Sequence, residues 1–239
     1  MDEQNRIHKF WLQKLLIALV DNPEISRGTY FKGGTAANML GYLDRFSVDL
    51  DFDVKGGFDI GILRSKIEKE VKQLDLGIKS KNRQNLFYIL KYKTQKANQR
   101  NTLKLSFFEG TIKANIYEPQ YFPEIDRLVN CQTVETMFAN KLVAPIDRFK
   151  RHGEIAGRDI YDIHHFFSKG YAFKKEIIEE RMKMNTEDYF KKLTKFIEEK
   201  VTNKLLSEDL NMLLPYGIFL KVRKTLKPET LIFLRSVIK

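Results

Sequence analysis

The sequence predicts an α+β fold, in which a mixed β-sheet flanked by helices is followed by a C-terminal helical bundle. Two observations carry this prediction. As far as residue 169, strand-like segments with alternating apolar residues are interspersed with helical segments. Beyond Gly170 the apolar pattern is almost wholly helical. We therefore predict a sheet-and-helix domain at residues 1–169 and a helical bundle domain at residues 170–239.

The first elements follow from apolar periodicity. In the opening run MDEQNRIHKFWLQKLLIALV, charged residues interrupt the apolar ones, which predicts an amphipathic helix burying Phe10, Trp11, Leu15 and Leu19 rather than a signal peptide. The segments after it alternate between the two periodicities. They predict a strand at 29–32, a helix at 35–42, a strand at 47–54, a helix at 60–74 and a strand at 86–93.

Turn and cap residues define the later elements. The turn residues Glu109-Gly110-Thr111 predict a hairpin of strands 103–108 and 112–117, and Pro119 and Pro123 mark a crossing segment after it. Thr133 is a helix-start signal, and Pro228 suits a first helical turn. Helices are predicted at 133–149, 158–168, 174–184, 187–201, 208–214 and 228–238.

The most informative segment is FKGGTAANMLGYLDRFSVDLDFD, residues 31–53. Asp49, Asp51 and Asp53 alternate along the predicted strand, so their side chains share one face. Three like charges on one face repel each other, which predicts a cation there. Mg²⁺ is the usual partner of clustered carboxylates and phosphates.

A paired-glycine turn precedes these carboxylates. Gly33 and Gly34, ahead of Thr35, allow backbone N–H groups to approach an anion closely. Either feature alone is usually structural, since most glycine pairs are turns and most Asp-x-Asp pairs are solvated strand ends. An anion-binding turn followed by a carboxylate strand is what metal-assisted phosphoryl or nucleotidyl transfer requires.

Two segments resemble a known family. The run KGGTAANMLGYLDRFSVDLDFD resembles the first motif of the AbiEii toxin nucleotidyltransferases, within the DNA-polymerase-β-like superfamily. A second run, TVETMFANKLVAPIDRFKRHGEIAGRDIYDI, is similar to the family's later block of a Lys, an Arg and R-D-x-x-D. The residues that match this block are Lys141, Arg148, Arg158, Asp159 and Asp162. The likeness extends over residues 10–169 and implies a nucleotidyltransferase-like sheet domain.

In nucleotidyl transfer an acceptor hydroxyl attacks the α-phosphate of an NTP, and pyrophosphate leaves. We expect Asp49 and Asp51 to hold Mg²⁺, which neutralises the triphosphate and activates the attacking oxygen, and Asp53 to support them. The phosphates are expected at the glycine turn and at the polar side chains beside it. The predicted nucleotide-binding residues are Lys32, Gly33, Gly34, Thr35 and Ser47.

The resemblance further implies that Lys141 touches the phosphates and that Asp162 helps complete the site. A Lys and an Asp about five turns apart cannot meet along one straight helix, so the break at Gly153–Gly157 must fold the second helix back. The alternative is that Lys141 and Arg148 are ordinary surface charges and that Arg158 and Asp159 form a local ion pair.

A third carboxylate is usual in the superfamily, on a strand beside the first two. The position most similar to it here is Ser106, which cannot serve as an anionic ligand. Glu109 and Glu118 are the alternatives. This departure keeps a second hypothesis open, a catalytically lapsed protein of the same fold that binds nucleotide or RNA without turnover.

Charge is distributed unevenly along the chain. The formal net charge is +11, and the segment from Leu76 to Phe108 contains eight basic residues and no acidic one. A segment of one sign favours a polyanionic partner. We therefore expect an RNA acceptor, with a tRNA end as one candidate, to be bound by Lys91, Lys93 and Lys96; a protein side chain is the other candidate acceptor. The alternative is a basic wall that holds only the triphosphate.

The cysteine content and the apolar runs of the sequence indicate the cellular compartment. The single cysteine, Cys131, excludes an intramolecular disulfide and fits a reducing compartment. No uninterrupted apolar run approaches the length of a membrane span, so we expect a cytoplasmic protein. The resemblance implies a toxin-like role restrained by a partner antitoxin.

Overall fold

The computed structural model of the protein describes residues 3–82, 84–94, 100–211 and 213–238. Their contacts divide into two compact units. The first unit contains residues 3–40, 47–111 and 117–132, and the second contains residues 41–46, 112–116 and 133–238. The domain boundary predicted after residue 169 stays a prediction.

The first unit contains a seven-stranded sheet in the order β3-β4-β5-β2-β1-β7-β6. Its strands are β1 (Thr29–Lys32), β2 (Asp49–Val54), β3 (Gly77–Lys81), β4 (Phe87–Lys91), β5 (Thr102–Phe108), β6 (Tyr117–Phe122) and β7 (Arg127–Gln132). Strand β2 runs parallel to β5 and antiparallel to β1, and β1 runs parallel to β7. The sheet is therefore mixed, and the predicted α+β fold is confirmed.

Four helices belong to this unit: α1 (Glu3–Asp21), α2 (Pro23–Gly28), α3 (Gly33–Met39) and α4 (Ile60–Gln73). Helix α1 packs on β2 and β5, and α2 packs on β1 and α4. Leu15 and Leu19 are buried as predicted and Trp11 is half-buried, whereas Phe10 is 51% exposed, so its predicted burial is wrong. Apolar residues of one sheet face thus form the core, and the carboxylates of β2 lie on the other face.

Strand pairing after residue 102 differs from the prediction. Strand β5 lies between β2 and β4, and the described residues 112–116 are not a strand. The hairpin is instead formed by β6 and β7. Pro119 lies in β6, an edge strand paired on one side only, where a missing N–H breaks no ladder bond. Strand β3 escaped prediction because all five of its residues are exposed and show no apolar alternation.

The second unit is helical, with α5 (Val134–His152), α6 (Gly157–Ser168), α7 (Lys175–Met182), α8 (Thr186–Lys200), α9 (Asn203–Leu210) and α10 (Tyr216–Val237). Two helices start earlier than predicted, and α9 also ends earlier, at Leu210 instead of 214. Helix α9 starts earlier because Thr202 caps it by accepting the N–H of Leu205. Helix α10 continues through Pro228, since packing on α6 and α8 compensates for the lost backbone hydrogen bond. In the described part of the chain, no helix is long and apolar enough to cross a membrane.

Candidate active site

The open face of the first unit's sheet carries the predicted carboxylates. In the parallel β2–β5 ladder, Asp49 pairs with Lys104 and Asp51 pairs with Ser106, so these four side chains share a face. The intervening Leu50 is 1% exposed and belongs to the core. Strand β2 therefore has one apolar and one charged face, as its sequence indicates.

Asp53 is a fixed, buried carboxylate. It is 3% exposed, and its Oδ2 accepts hydrogen bonds from the Tyr117 hydroxyl at 2.9 Å and from Gln132 Nε2 at 2.7 Å. Its Oδ1 pairs with the ammonium group of Lys32. Two neutral donors and one cation thus occupy the Asp53 carboxylate within the protein, which fits the supporting role expected of it.

Asp49 and Asp51 are half-buried and differ from Asp53 in their partners. Asp51 Oδ1 accepts the hydroxyl of Ser106 at 2.5 Å. Asp49 Oδ2 lies 3.9 Å from the Lys104 ammonium, and the Asp49 side chain is 24% exposed. Lys104 was not among the predicted site residues, although its place in strand β5 puts it beside the first carboxylate.

The glycine turn touches the carboxylate strand. Gly33 has a φ of +83°, which only glycine adopts readily, and a Cβ there would lie 2.8 Å from Asp51 Oδ2. Thr35 Oγ1 donates to the main-chain oxygen of Asp49 at 2.5 Å and lies 3.0 Å from Ser47 Oγ. The start of α3 is thereby fixed against the start of β2.

The predicted nucleotide-binding residues therefore lie together at one end of β1 and β2. Gly33 and Gly34 are the first two residues of α3, and Lys32 precedes them at the end of β1. Lys32 also lies over the ring of Phe108, with its Nζ 4.7 Å from the ring centroid. Its ammonium thus already has an anionic and an aromatic neighbour.

The donor set at β2 fits a hard divalent cation. Among the described residues, no group of three or more His, Cys, Asp or Glu side chains is arranged to hold a metal ion. Mg²⁺, however, is commonly held by one or two carboxylates while substrate phosphates and waters complete its shell. Asp49 and Asp51 match that pattern for a cation that arrives with a nucleotide.

Ser106 occupies the place next to Asp51 where the superfamily pattern has a third carboxylate. The two alternative glutamates have other contacts. Glu118 pairs in register with Cys131, which is fully buried, so Glu118 lies on the face opposite Asp51. Glu109 Oε1 accepts a main-chain N–H in the loop before β4, at 3.2 Å.

The second predicted block lies within the second unit, where two helices fold back on each other. Helix α5 ends at Gly153, whose φ is +70° and whose N–H donates to the Phe149 oxygen at 2.9 Å. Helix α6 begins at Gly157. Lys141 Nζ then lies 2.7 Å from Asp162 Oδ2, so the expected meeting of these two residues is confirmed.

Asp162 is fully buried, and a residue that sequence reasoning missed holds it. Arg45 donates from Nε to Oδ1 at 2.5 Å and from Nη2 to Oδ2 at 2.7 Å. Burial alone would raise the pKa of Asp162, but Arg45 and Lys141 lower this pKa to about 2. No local signal identifies Arg45, because its partner follows 117 residues later.

The residue before Arg45 is fixed in the same way. Asp44 Oδ1 accepts the hydroxyl of Tyr161 at 2.7 Å and lies 3.2 Å from His165 Nδ1. Burial raises the pKa of the Tyr161 hydroxyl and lowers that of His165. Two consecutive side chains of the segment 41–46 thus hold α6.

The alternative interpretation of this block is wrong on both points. Asp159 pairs with Arg148, through Nε at 2.8 Å and Nη2 at 3.3 Å, rather than with the adjacent Arg158. Lys141 is not a surface charge, since its side chain is only 15% exposed and is bound to Asp162.

The predicted acceptor-binding lysines are only partly described. Lys91, at the end of β4, is exposed and pairs in register with Thr102, so it shares the sheet face of Lys104 and Asp49. Lys96 lies outside the described residues.

Acidic residues from outside the basic segment neutralise part of it. Lys93 Nζ lies 2.5 Å from Asp75 Oδ2, with both side chains strongly exposed, and Lys81 Nζ lies 2.8 Å from Glu68 Oε1. Exposed pairs of this kind contribute little to stability, and a polyanion competes with them easily.

Comparison with known proteins identifies the fold and family. The family model described as nucleotidyl transferase AbiEii toxin, type IV toxin–antitoxin system, matches residues 15–220, which confirms the resemblance found in the two motifs. The crystal structure of JHP933 from Helicobacter pylori is 22% identical with a TM-score of 0.59, covering 100% of this chain and 93% of that one. A candidate nucleotidyltransferase from H. pylori is also 22% identical, with a TM-score of 0.62 and coverage of 100% and 96%. No curated protein matches.

Proposed function

Because the chain belongs to the AbiEii family of nucleotidyl transferase toxins and is thus a nucleotidyltransferase, we propose that it moves a nucleoside monophosphate from an NTP to an RNA. A tRNA end is our first candidate acceptor, and a protein side chain is the alternative. The observation that carries the proposal is the contact between the glycine turn and the carboxylate strand. A Cβ on Gly33 would lie 2.8 Å from Asp51 Oδ2, so a phosphate at the turn would lie close to this carboxylate.

Asp49 and Asp51 are the residues that would hold Mg²⁺. When bound, Mg²⁺ supplies charge neutralisation for the triphosphate and for the departing pyrophosphate. Ser106 orients Asp51 by donating its hydroxyl to Oδ1 at 2.5 Å, which leaves Oδ2 on the side of Gly33. With two carboxylates and no third one beside them, oxygens of the substrate would complete the ligand shell of the Mg²⁺ ion.

We assign the triphosphate to the glycine turn and to cations near it in the chain. Backbone N–H groups of Gly33, Gly34 and Thr35 are the proposed donors, and Ser47 adds a hydroxyl. Thr35 keeps its own hydroxyl on the main-chain oxygen of Asp49, so its role is to hold the turn in place. Lys32 contributes positive charge that it shares with Asp53.

The acceptor is assigned to the basic segment. Lys91 supports this assignment, because it is exposed on the sheet face that bears Asp49. Lys93 would give up its exposed ion pair with Asp75 to bind a phosphate. Lys96 remains in the proposal because the sequence predicts it. The family's place in type IV toxin–antitoxin systems supports an antitoxin partner. A cytoplasmic location stays a prediction.

One observation favours a second candidate function. Ser106 beside Asp51 leaves the sheet with fewer anionic ligands than the superfamily pattern has. A lapsed enzyme of this fold would bind nucleotide or RNA without turnover.

A transfer assay separates the two candidates. The protein is incubated with Mg²⁺, total cellular RNA and each of the four α-labelled NTPs in turn, and both label in RNA and released pyrophosphate are measured. The proposal predicts label in RNA and equimolar pyrophosphate for at least one NTP. Metal-dependent nucleotide binding with neither product would establish the lapsed function instead.

A further inference from the structure

The open face of the first unit's sheet continues past the carboxylates onto β5 and β4. In the strand registers, Ser106 lies directly beside Asp51 on one side and directly beside Phe87 on the other. Phe108 lies on the same face, two residues after Ser106 along β5. Two phenylalanines therefore flank the position where the superfamily pattern has a third carboxylate.

Both rings are accessible to solvent, and each lies near a lysine ammonium. Phe108 is 41% exposed, and Phe87 is half-buried. The Nζ of Lys104 lies 5.8 Å from the ring centroid of Phe87, and the Nζ of Lys32 lies 4.7 Å from that of Phe108. Single exposed apolar side chains are common on protein surfaces. Two rings with adjacent cations, on either side of one site residue, form a more specific arrangement.

The two carboxylate oxygens of Asp51 separate a nucleotide side of the site from an acceptor side. Oδ2 lies towards Gly33, which follows β1, whereas Oδ1 accepts the hydroxyl of Ser106 on β5. In phosphoryl transfer the attacking and departing oxygens lie roughly in line across the phosphorus. Because the proposed function places the departing pyrophosphate at the glycine turn, the acceptor hydroxyl arrives from the β5 side, where the two rings lie.

We propose that Phe87 and Phe108 form a stacking platform for the terminal nucleobase of the RNA acceptor. This inference rests on the proposed function. Neighbouring strands are about 5 Å apart and two residues along a strand span about 7 Å, so both rings originate within about 10 Å of Asp51. One ribose joins the terminal base to the attacking hydroxyl. A base on the platform therefore brings that hydroxyl close to the carboxylates.

The cations on this face suit the phosphates of the same acceptor. Lys104 has a side chain that is 43% exposed, and Lys91 is exposed on β4. Aromatic rings interleaved with cations are typical of surfaces that bind single-stranded nucleic acid, since bases stack while phosphates bind the cations. A base at a duplex end is already paired. The platform therefore favours an acceptor with an unpaired terminal nucleotide, and a protein side chain would not need it.

The test measures the binding of two short, fluorescent, single-stranded RNAs. The second RNA differs from the first only in an abasic terminal ribose, so it keeps every phosphate and the terminal hydroxyl. Phe87→Leu and Phe108→Leu keep an apolar side chain without a ring, whereas Phe108→Tyr keeps the ring. Phe10→Leu is the matched control, because Phe10 is a 51% exposed phenylalanine on α1.

Stacking of one base predicts roughly tenfold weaker binding of the intact RNA by both leucine variants. Their affinity for the abasic RNA should stay within about twofold of wild type. Wild type and Phe108→Tyr should both prefer the intact RNA over the abasic RNA. Phe10→Leu should match wild type with both RNAs. NTP affinity without RNA should be the same in all variants.

Three results would overturn the platform. The first is a wild-type preference for the intact RNA in Phe108→Leu, and the second is an equal loss of affinity for both RNAs. The third is weaker NTP binding with unchanged tripolyphosphate binding in the leucine variants, since the rings would then hold the base of the NTP. Phe108 is exposed, so Phe108→Leu decides the test if Phe87→Leu does not fold.

Transfer from α-labelled NTPs to the intact RNA is measured with the same samples, which separates this inference from the function on which it rests. Transfer by wild type, with leucine variants that bind both RNAs as wild type does, would overturn the platform alone. No transfer by wild type, with a preference for the intact RNA that the leucine variants lose, would overturn the transferase function and support the platform.

Discussion

Two carboxylates at the predicted site are surrounded in opposite ways. Asp51, on strand β2, is half-buried, and its Oδ1 accepts one neutral hydroxyl, from Ser106. Asp162, on helix α6, is fully buried between two cations, Arg45 and Lys141. A carboxylate beside a neutral hydroxyl can still bind a metal ion. The negative charge of a carboxylate between two cations is already compensated within the protein. Two residues predicted for one site thus have different surroundings: Asp51 remains a proposed metal ligand, whereas Asp162 is already bound to Arg45 and Lys141.

The largest expected effect is loss of transfer when a β2 carboxylate is neutralised. We expect Asp49→Asn and Asp51→Asn each to reduce transfer by about a thousandfold or more, because each removes a metal ligand. The fold should be unchanged or slightly more stable, since same-face repulsion is relieved. Transfer kinetics and the midpoint of thermal unfolding check this. Asp75→Asn, which neutralises an exposed carboxylate paired with Lys93, is the control.

Near-normal turnover by either variant with Mg²⁺ would contradict the assignment of these residues to the active site.

Asp162→Asn should show the reverse pattern in stability. Removing the carboxylate leaves Arg45 and Lys141 buried without an anion, which we expect to lower the free energy of unfolding by about 3–5 kcal/mol. Urea denaturation of Asp162→Asn and Asp51→Asn side by side measures the difference. Equal stability of the two variants would contradict the claim that Asp162, unlike Asp51, stabilises the fold by compensating two buried cations.

The same contrast predicts a dependence on acid. Arg45 and Lys141 hold the pKa of Asp162 at about 2 in the folded protein, below the unfolded value of about 3.9. The contribution of this carboxylate is therefore present above about pH 4 and is lost as pH falls through about 2, which amounts to about 2 kcal/mol. The stability gap between wild type and Asp162→Asn, followed by urea denaturation from pH 5 to pH 2, should narrow by that amount.

A gap that stays constant over this range would show that the cations do not stabilise the ionised Asp162.

The contact between the glycine turn and β2 can be tested with two glycines of similar backbone. Gly33 and Gly57 have φ values of +83° and +78°, but a Cβ on Gly57 would meet nothing within 4 Å. Both alanine variants should lose about 1–2 kcal/mol of stability from left-handed strain. Only Gly33→Ala should also lose transfer activity, because its methyl group displaces the carboxylate of Asp51. Equal transfer by the two variants would make the turn structural only.

The smallest effect is expected for the acceptor. Replacing Lys91, Lys93 and Lys96 by Gln should weaken RNA binding and reduce the slope of log affinity against log salt by roughly 2, since three fewer counterions are released. NTP affinity without RNA should change much less. Fluorescence titration at several salt concentrations measures both. Replacement of Lys191, Lys195 and Lys204, which are exposed on α8 and α9, gives a control with the same loss of charge.

Unchanged RNA affinity and salt slope in the triple lysine variant would contradict the acceptor assignment. A loss confined to NTP affinity would mean that the basic segment binds the nucleotide instead of the RNA.

What the sequence predicts correctly depends on neighbours along the chain. The alternation of Asp49 and Asp51 with Leu50 predicts a two-faced strand, because side-chain direction in a strand alternates by residue. The Gly153 break predicts the return of α6 towards α5, because a left-handed glycine ends a helix.

What the sequence misses depends on partners far along the chain. Arg45 finds Asp162 after 117 residues, so no window of sequence reveals the pair. The β6–β7 hairpin is hidden because Pro119 is acceptable only at a sheet edge, and the edge is defined by the order of all seven strands. Strand β3 was missed for the same reason, because its exposed residues gain their strand conformation by pairing with β4.

The most direct test of the different surroundings of Asp51 and Asp162 is to count the metal ions that the protein binds when each carboxylate is neutralised. Electron paramagnetic resonance with Mn²⁺ in place of Mg²⁺, at saturating NTP, reports protein-bound metal in wild type, Asp51→Asn and Asp162→Asn. We predict that Asp51→Asn loses the bound Mn²⁺ while folded Asp162→Asn retains the same number of metal ions per protein as wild type. Retention of the metal by Asp51→Asn, or its loss in folded Asp162→Asn at saturating NTP, would contradict this account.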